Sequence, residues 1–109
     1  MTLYQAEYRS KTRREKTKEA IALAMENRWE DAKALNRIII ALFPEDVEAY
    51  NRLGKACLEN GDYDDARAAF TNALQLSPSN AIARKNLDRL NLLRKETQLP
   101  RKGRMLSPQ

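Results

Sequence analysis

Cys57 is the one thiol in the chain, and there is no histidine. A serine or cysteine nucleophile therefore has no imidazole to take its proton, and Cys/His zinc sites and internal disulfides are excluded with it. Cys57 lies between Ala56 and Leu58, where a thiol acts as a small core residue. Asp62, Asp64 and Asp65 bring three carboxylates close together, but without the alternating oxygens, the sixth-position glycine or the final glutamate of a calcium loop. Negative charge at that spacing suits the first turn of a helix instead. Trp29 and Tyr63 begin equivalent segments, so core packing accounts for them without base stacking. Carboxylates abound, yet nothing suggests a buried cleft that would shift one for acid–base work. No cofactor and no metal are implied, and the chain reads as a binding protein, not an enzyme.

The elements that position these residues must fit in 109 residues, the size of one small domain. An apolar share of 42% is too high for a wholly disordered chain. Few aromatics and three glycines disfavour an all-β barrel or sandwich. The opening Met1–Arg9 lacks the apolar run of a secretory signal, and the longest apolar run, Ile38–Phe43, is far too short to span a bilayer. A reducing, cytoplasmic setting and no membrane partner are expected.

The net charge of +5 is unevenly spread. Residues 1–19 carry +3 and residues 93–109 carry +4, leaving the middle at −2. Basic ends on a near-neutral body could meet an acidic protein or nucleic acid. Nucleic acid is the weaker reading, because the cations sit at the two ends and no aromatic platform is interleaved with them.

Self-similarity is the informative feature. Placing residues 13–46 on 47–80, a shift of 34, matches Ala22 with Ala56, Asp31 with Asp65, Ala32 with Ala66, Ala34 with Ala68, Leu42 with Leu76 and Pro44 with Pro78. Trp29/Tyr63, Lys33/Arg67, Ala20/Gly54 and Asp46/Asn80 match in character. Ala83, Leu87 and Leu92 continue the shift from Ala49, Leu53 and Leu58, giving two units and half of a third.

Apolar spacing of three and four predicts helices over about 13–26, 29–42, 47–59, 63–76 and 81–95. Thr12 with Glu15 forms a capping box for the first. Pro44 and Pro78 close helices, and Asp46 and Asn80 then stand at N-cap positions. Asn27 and Gly61 take the left-handed conformation that ends a helix. Ile82, Leu87, Leu90 and Leu93 form the inward stripe of the fifth helix. The fold class is all-α, with about five antiparallel helices and no strand.

Tyr50-x2-Leu53-Gly54-x2-Cys57, Gly61-x-Tyr63 and Ala66-x3-Phe70-x2-Ala73-x4-Pro78 resemble a tetratricopeptide repeat, a helical-hairpin unit that stacks into an α-α superhelix. Gly54 and Ala66 would be small where the two helices cross, with Tyr50, Leu53 and Phe70 filling the seam. The first unit departs from the pattern, with Lys16 at the aromatic position, Glu19 at the Leu53 position, Asn36 at the Phe70 position and Ile39 at the Ala73 position. The resulting organisation is an N-terminal extension over 1–12, an atypical unit over 13–46, a full unit over 47–80, a capping helix over 81–95 and a basic flexible tail or linker over 96–109. Leu3, Tyr4 and Tyr8 have helical spacing and could extend the first helix or fold back on it.

The resemblance implies a concave surface, lined by the first helix of each pair, that holds a segment of another protein. On this chain the surface carries Arg14 and Lys18, then Asn51, Arg52 and Lys55, then Lys85, Asn86 and Arg89, with Thr17, Ile21 and Leu58 among them and Glu48 and Glu59 at its edges. Its net charge of about +4 suits an acidic peptide, held by charge-assisted hydrogen bonds of about 1.5–3 kcal/mol each. One subclass of the family grips the C-terminal carboxylates of heat-shock chaperones with Lys, Asn and Arg from three successive units. Here Asn51 and Lys55 have the right residue types in swapped order, Asn86 stands where the second asparagine would, and no further helix supplies the final Lys and Arg, so that full clamp is absent. Self-assembly is the remaining expectation, either through an exposed helix face or with Leu99, Met105 and Leu106 of the tail seated in another copy's groove.

Overall fold

The computed structural model describes residues 1–98, which contain five α-helices and no strand: α1 (Leu3–Met25), α2 (Trp29–Leu42), α3 (Val47–Glu59), α4 (Tyr63–Leu76) and α5 (Ala81–Gln98). Each packs mainly against its neighbours in sequence, α1 on α2, α2 on α3, α3 on α4 and α4 on α5. This is the connectivity of stacked hairpins, in which every unit buries its apolar face on the next.

The first helix begins ten residues before the position that Thr12 suggests. Its N-cap is Thr2, whose hydroxyl accepts from the Gln5 amide at 3.1 Å while the Gln5 side chain accepts from the Thr2 amide at 2.8 Å. The capping box expected at Thr12 and Glu15 therefore lies inside a continuous helix. Residues 3–11 contain no glycine or proline to stop it. They are also tied to the body: Arg9 Nη2 donates to the Leu42 carbonyl at 3.0 Å, and the Arg9 and Arg13 guanidiniums lie 4.5 and 5.4 Å from the centre of the Phe43 ring.

The remaining boundaries follow the repeat. Asn27 and Gly61 end α1 and α3 at the same place in their units, with φ of 59° and 82°. Asp46 Oδ1 accepts from the Ala49 amide at 3.0 Å, and Asn80 Oδ1 from the Ala83 amide at 2.9 Å. These are equivalent N-caps of α3 and α5. At the far end α5 continues to Gln98, so residues 96–98 are helical, not a linker. The expected tail beyond them, with Leu99, Met105 and Leu106, lies outside the described residues.

Two clusters form the core. Ala20, Ile39, Phe43 and Ala49 join the first unit to α3. Leu53, Cys57, Ala66, Phe70, Ala73, Ala83, Leu87 and Leu90 join α3, α4 and α5. Burial pushes the Cys57 thiol pKa up, as an interior packing role requires. Two expectations need correction. On α5 the inward set is Ala83, Leu87 and Leu90, while Ile82 and Leu93 are 53% and 40% exposed, because among the described residues α5 packs mainly on α4. Tyr63 is half exposed and Trp29 half-buried, so this aromatic pair edges the core and does not fill it. No helix among the described residues is long and apolar enough to cross a membrane.

Candidate functional site

The first and second units differ where their two helices cross. In the second, Gly54 on α3 receives the ring of Phe70 from α4. In the first, the equivalent places belong to Ala20 on α1 and Asn36 on α2. A methyl group has replaced a hydrogen, and a short amide has replaced a ring. Both residues line a cavity of about 250 Å³ open to the outside. Its remaining wall comes from Ala24 of α1, from Glu48, Asn51, Arg52 and Lys55 of α3, and from Ile82 and Asn86 of α5.

Four residues of the expected groove thus converge: Asn51, Arg52, Lys55 and Asn86. The other four do not reach the cavity. Lys18 stands exposed on α1, Lys85 and Arg89 stand exposed on α5, and Arg14 lines a separate shallow depression with Ala6, Glu7, Ser10 and Lys11.

Each convergent residue is held differently. Asn51 is buried, and its Nδ2 donates at 3.1 Å to Asn80 Oδ1, the oxygen that caps α5. It acts as a tie between α3 and α5. Asn86 Nδ2 donates back to the Ile82 carbonyl one turn earlier, at 2.9 Å. Lys55 Nζ pairs with Glu59 Oε2 at 3.0 Å, on the same helix face.

Two buried atoms of this wall lack a hydrogen-bond partner, Asn51 Oδ1 and one terminal nitrogen of Arg52. Arg52 Nε donates to Asn36 Oδ1 at 3.0 Å, and Asn36 is itself fixed by donating from Nδ2 to the Ala32 carbonyl at 2.9 Å. Asn36 is fully buried. Arg52 Nη2 is buried without a hydrogen-bond partner, and no carboxylate among the described residues lies within ion-pair distance of this side chain. Burial pulls the guanidinium pKa below its ordinary value, opposed by the fields of Asp46 and Glu48, while Arg13 adds to the lowering. Arginine remains charged across the physiological range even so. Asn36 was missed as a site residue, although its departure from the aromatic position was the available signal.

A larger hollow of about 440 Å³ lies between the start of α1 and the end of α2, where Met1, Tyr8, Leu42 and Phe43 form much of its wall. The cation there, Arg9, is already engaged with the Leu42 carbonyl and the Phe43 ring. That hollow therefore lacks the free charge that distinguishes the α1–α3–α5 cavity.

The arrangement is that of an α-helical solenoid, in which successive hairpins leave a lined face for contact. The chain belongs to the tetratricopeptide repeat family, whose model matches residues 17–89. It is also similar to the heat shock protein STI1 of Saccharomyces cerevisiae, 38% identical over 52 residues. That match takes in 48% of this chain and 9% of the length of STI1.

Proposed function

We propose that the chain is a non-catalytic binding module that holds an acidic segment of another protein along the face formed by α1, α3 and α5. Tetratricopeptide repeats generally mediate protein–protein interaction, which supports the general class. The finer reading rests on one observation: Asn51, Arg52, Lys55 and Asn86, from two helices, converge on one cavity and include an arginine whose Nη2 is buried without a hydrogen-bond partner. Lys85, Arg89, Arg14 and Lys18 extend the positive field to either side of it, where they steer an acidic segment more than they fix it.

Capture from a cell extract tests the reading. A chain carrying Lys55→Glu and Arg89→Glu should lose the protein that the parent chain retains, with helical content unchanged by circular dichroism. Equal recovery by both chains overturns it.

A further inference from the structure

We propose that the cavity between the two units takes the side-chain carboxylate of an aspartate or glutamate, and that Arg52 is the residue that grips it. This rests on the groove reading above and adds the chemistry of one subsite to it.

The cavity touches the places where the first unit departs from the second. Gly54 and Phe70 meet at the crossing of α3 and α4, whereas Ala20 and Asn36, at the equivalent places and themselves buried, form part of the cavity wall. The space suits a side chain. Ala20, Ala24 and Ile82 supply apolar wall for methylene groups, and Asn36, Arg52 and Lys55 supply the polar end.

Arg52 sets the sign of the occupant. Its single hydrogen bond goes to a neutral amide, which orients the guanidinium without neutralising it. Asp46, the nearest buried carboxylate, is committed through Oδ2 to Arg13 at 3.1 Å and through Oδ1 to the Ala49 amide. Arg52 Nη2 therefore remains buried without an acceptor among the described residues. A charged donor left so is costly, and a carboxylate offers two acceptor oxygens in the fork geometry that a guanidinium matches. Glu48, exposed at the mouth, is the internal competitor.

The probe is a blocked glutamate, N-acetylglutamate methylamide, added to the whole chain while the Arg52 Nε–H resonance is followed by NMR. Saturation in the millimolar range is expected, with the blocked glutamine counterpart silent. Arg52→Gln should weaken the response about tenfold or more, read on the amide resonances of α3. Should that variant unfold, Asn36→Asp serves in its place: it supplies a carboxylate from within and should abolish saturation in a folded chain. Glu48→Gln should strengthen binding. Equal responses to glutamate and glutamine, or none, overturn the subsite. Tighter saturation by N-acetylglycine, a terminal carboxylate, or by inorganic phosphate overturns the side-chain assignment. Because the probe reports on the cavity alone, its failure leaves the groove reading to be judged by the capture experiment.

Discussion

The ring of Phe70 lies so close to Gly54 that a Cβ on the glycine would stand 2.6 Å from the ring's Cζ. Phe70 is fully buried, so it has no open space into which to swing. Gly54→Ala should therefore destabilise, although alanine is the better helix former. Overpacking costs about 1–3 kcal/mol, and the propensity gain offsets about 1 kcal/mol of that. A fall in the midpoint of thermal unfolding of several degrees is expected by circular dichroism. Gly54→Ala combined with Phe70→Leu should recover part of it, because the smaller side chain gives way; a double variant no better than the sum of its parts would refute the contact.

Asn27 and Gly61 hold the same left-handed turn, but no side chain or backbone comes within 4 Å of a Cβ built on Gly61. Any cost of substitution there comes from backbone strain and not from crowding. Gly61→Ala should lose about 1–2 kcal/mol, the ordinary penalty for an alanine in this region. Gly61→Asn should lose visibly less, since Asn27 already meets the same demand in the first unit. Denaturant midpoints of the two variants decide the matter, and equal losses would mean that the turn tolerates no side chain at all.

These pairs also mark what the sequence made legible. A 34-residue shift predicts that residues at equivalent places do equivalent work, and Asn27/Gly61 and Asp46/Asn80 do. The same shift flagged Asn36 as a misfit at the Phe70 place but not its consequence. A buried amide bonded to Arg52 from the next unit depends on a contact across 16 positions, which periodicity does not encode. The start of α1 was obscured differently. Thr2-x2-Gln5 and Thr12-x2-Glu15 are both acceptable capping boxes, and only the packing of Arg9 and Arg13 on Phe43 decides between them. On α5 the apolar spacing predicts a wider inward stripe than the one buried, since spacing alone does not reveal that among the described residues this helix packs mainly on α4.

Lys33, on α2, is buried and bonds both Glu30 of its own helix and Asp62 at the head of α4. Asp62 in turn accepts from Asn60 Nδ2 at 3.0 Å. The hydrogen bonds from Asn60 and then Lys33 lower the Asp62 pKa below the ordinary carboxylate value. A carboxylate lowered on folding stabilises the fold above its unfolded pKa, near 3.9, and loses that contribution as pH falls through the folded value. Lys33 has the opposite sign: its pKa is raised by the bonds to Asp62 and Glu30, so its contribution is complete below about 10.4 and is lost as pH rises through the folded value. Asp62→Asn should therefore melt below the parent chain at neutral pH, and the gap should close as pH falls through the lowered folded value of Asp62. A gap that stays constant from neutral to acid pH would show that the charge of Asp62 is not what it contributes.

Asp46 serves two helices at once, capping α3 with Oδ1 and accepting from Arg13 of α1 with Oδ2. The two duties can be separated by substitution. Asp46→Asn keeps an oxygen for the Ala49 amide, as Asn80 does for Ala83, and gives up only the charge. Arg13 is partly exposed, so that loss should be about 0.2–1 kcal/mol and should shrink at high salt. Asp46→Ala removes the cap as well, adding about 0.5–2 kcal/mol. Urea midpoints at low and high salt resolve the two terms, with Arg13→Ala closing the double-mutant cycle. If Asp46→Asn proves as damaging as Asp46→Ala, the ion pair and not the cap is what joins α1 to α3, and the N-terminal ten residues of α1 would then depend on that pair as much as on Phe43.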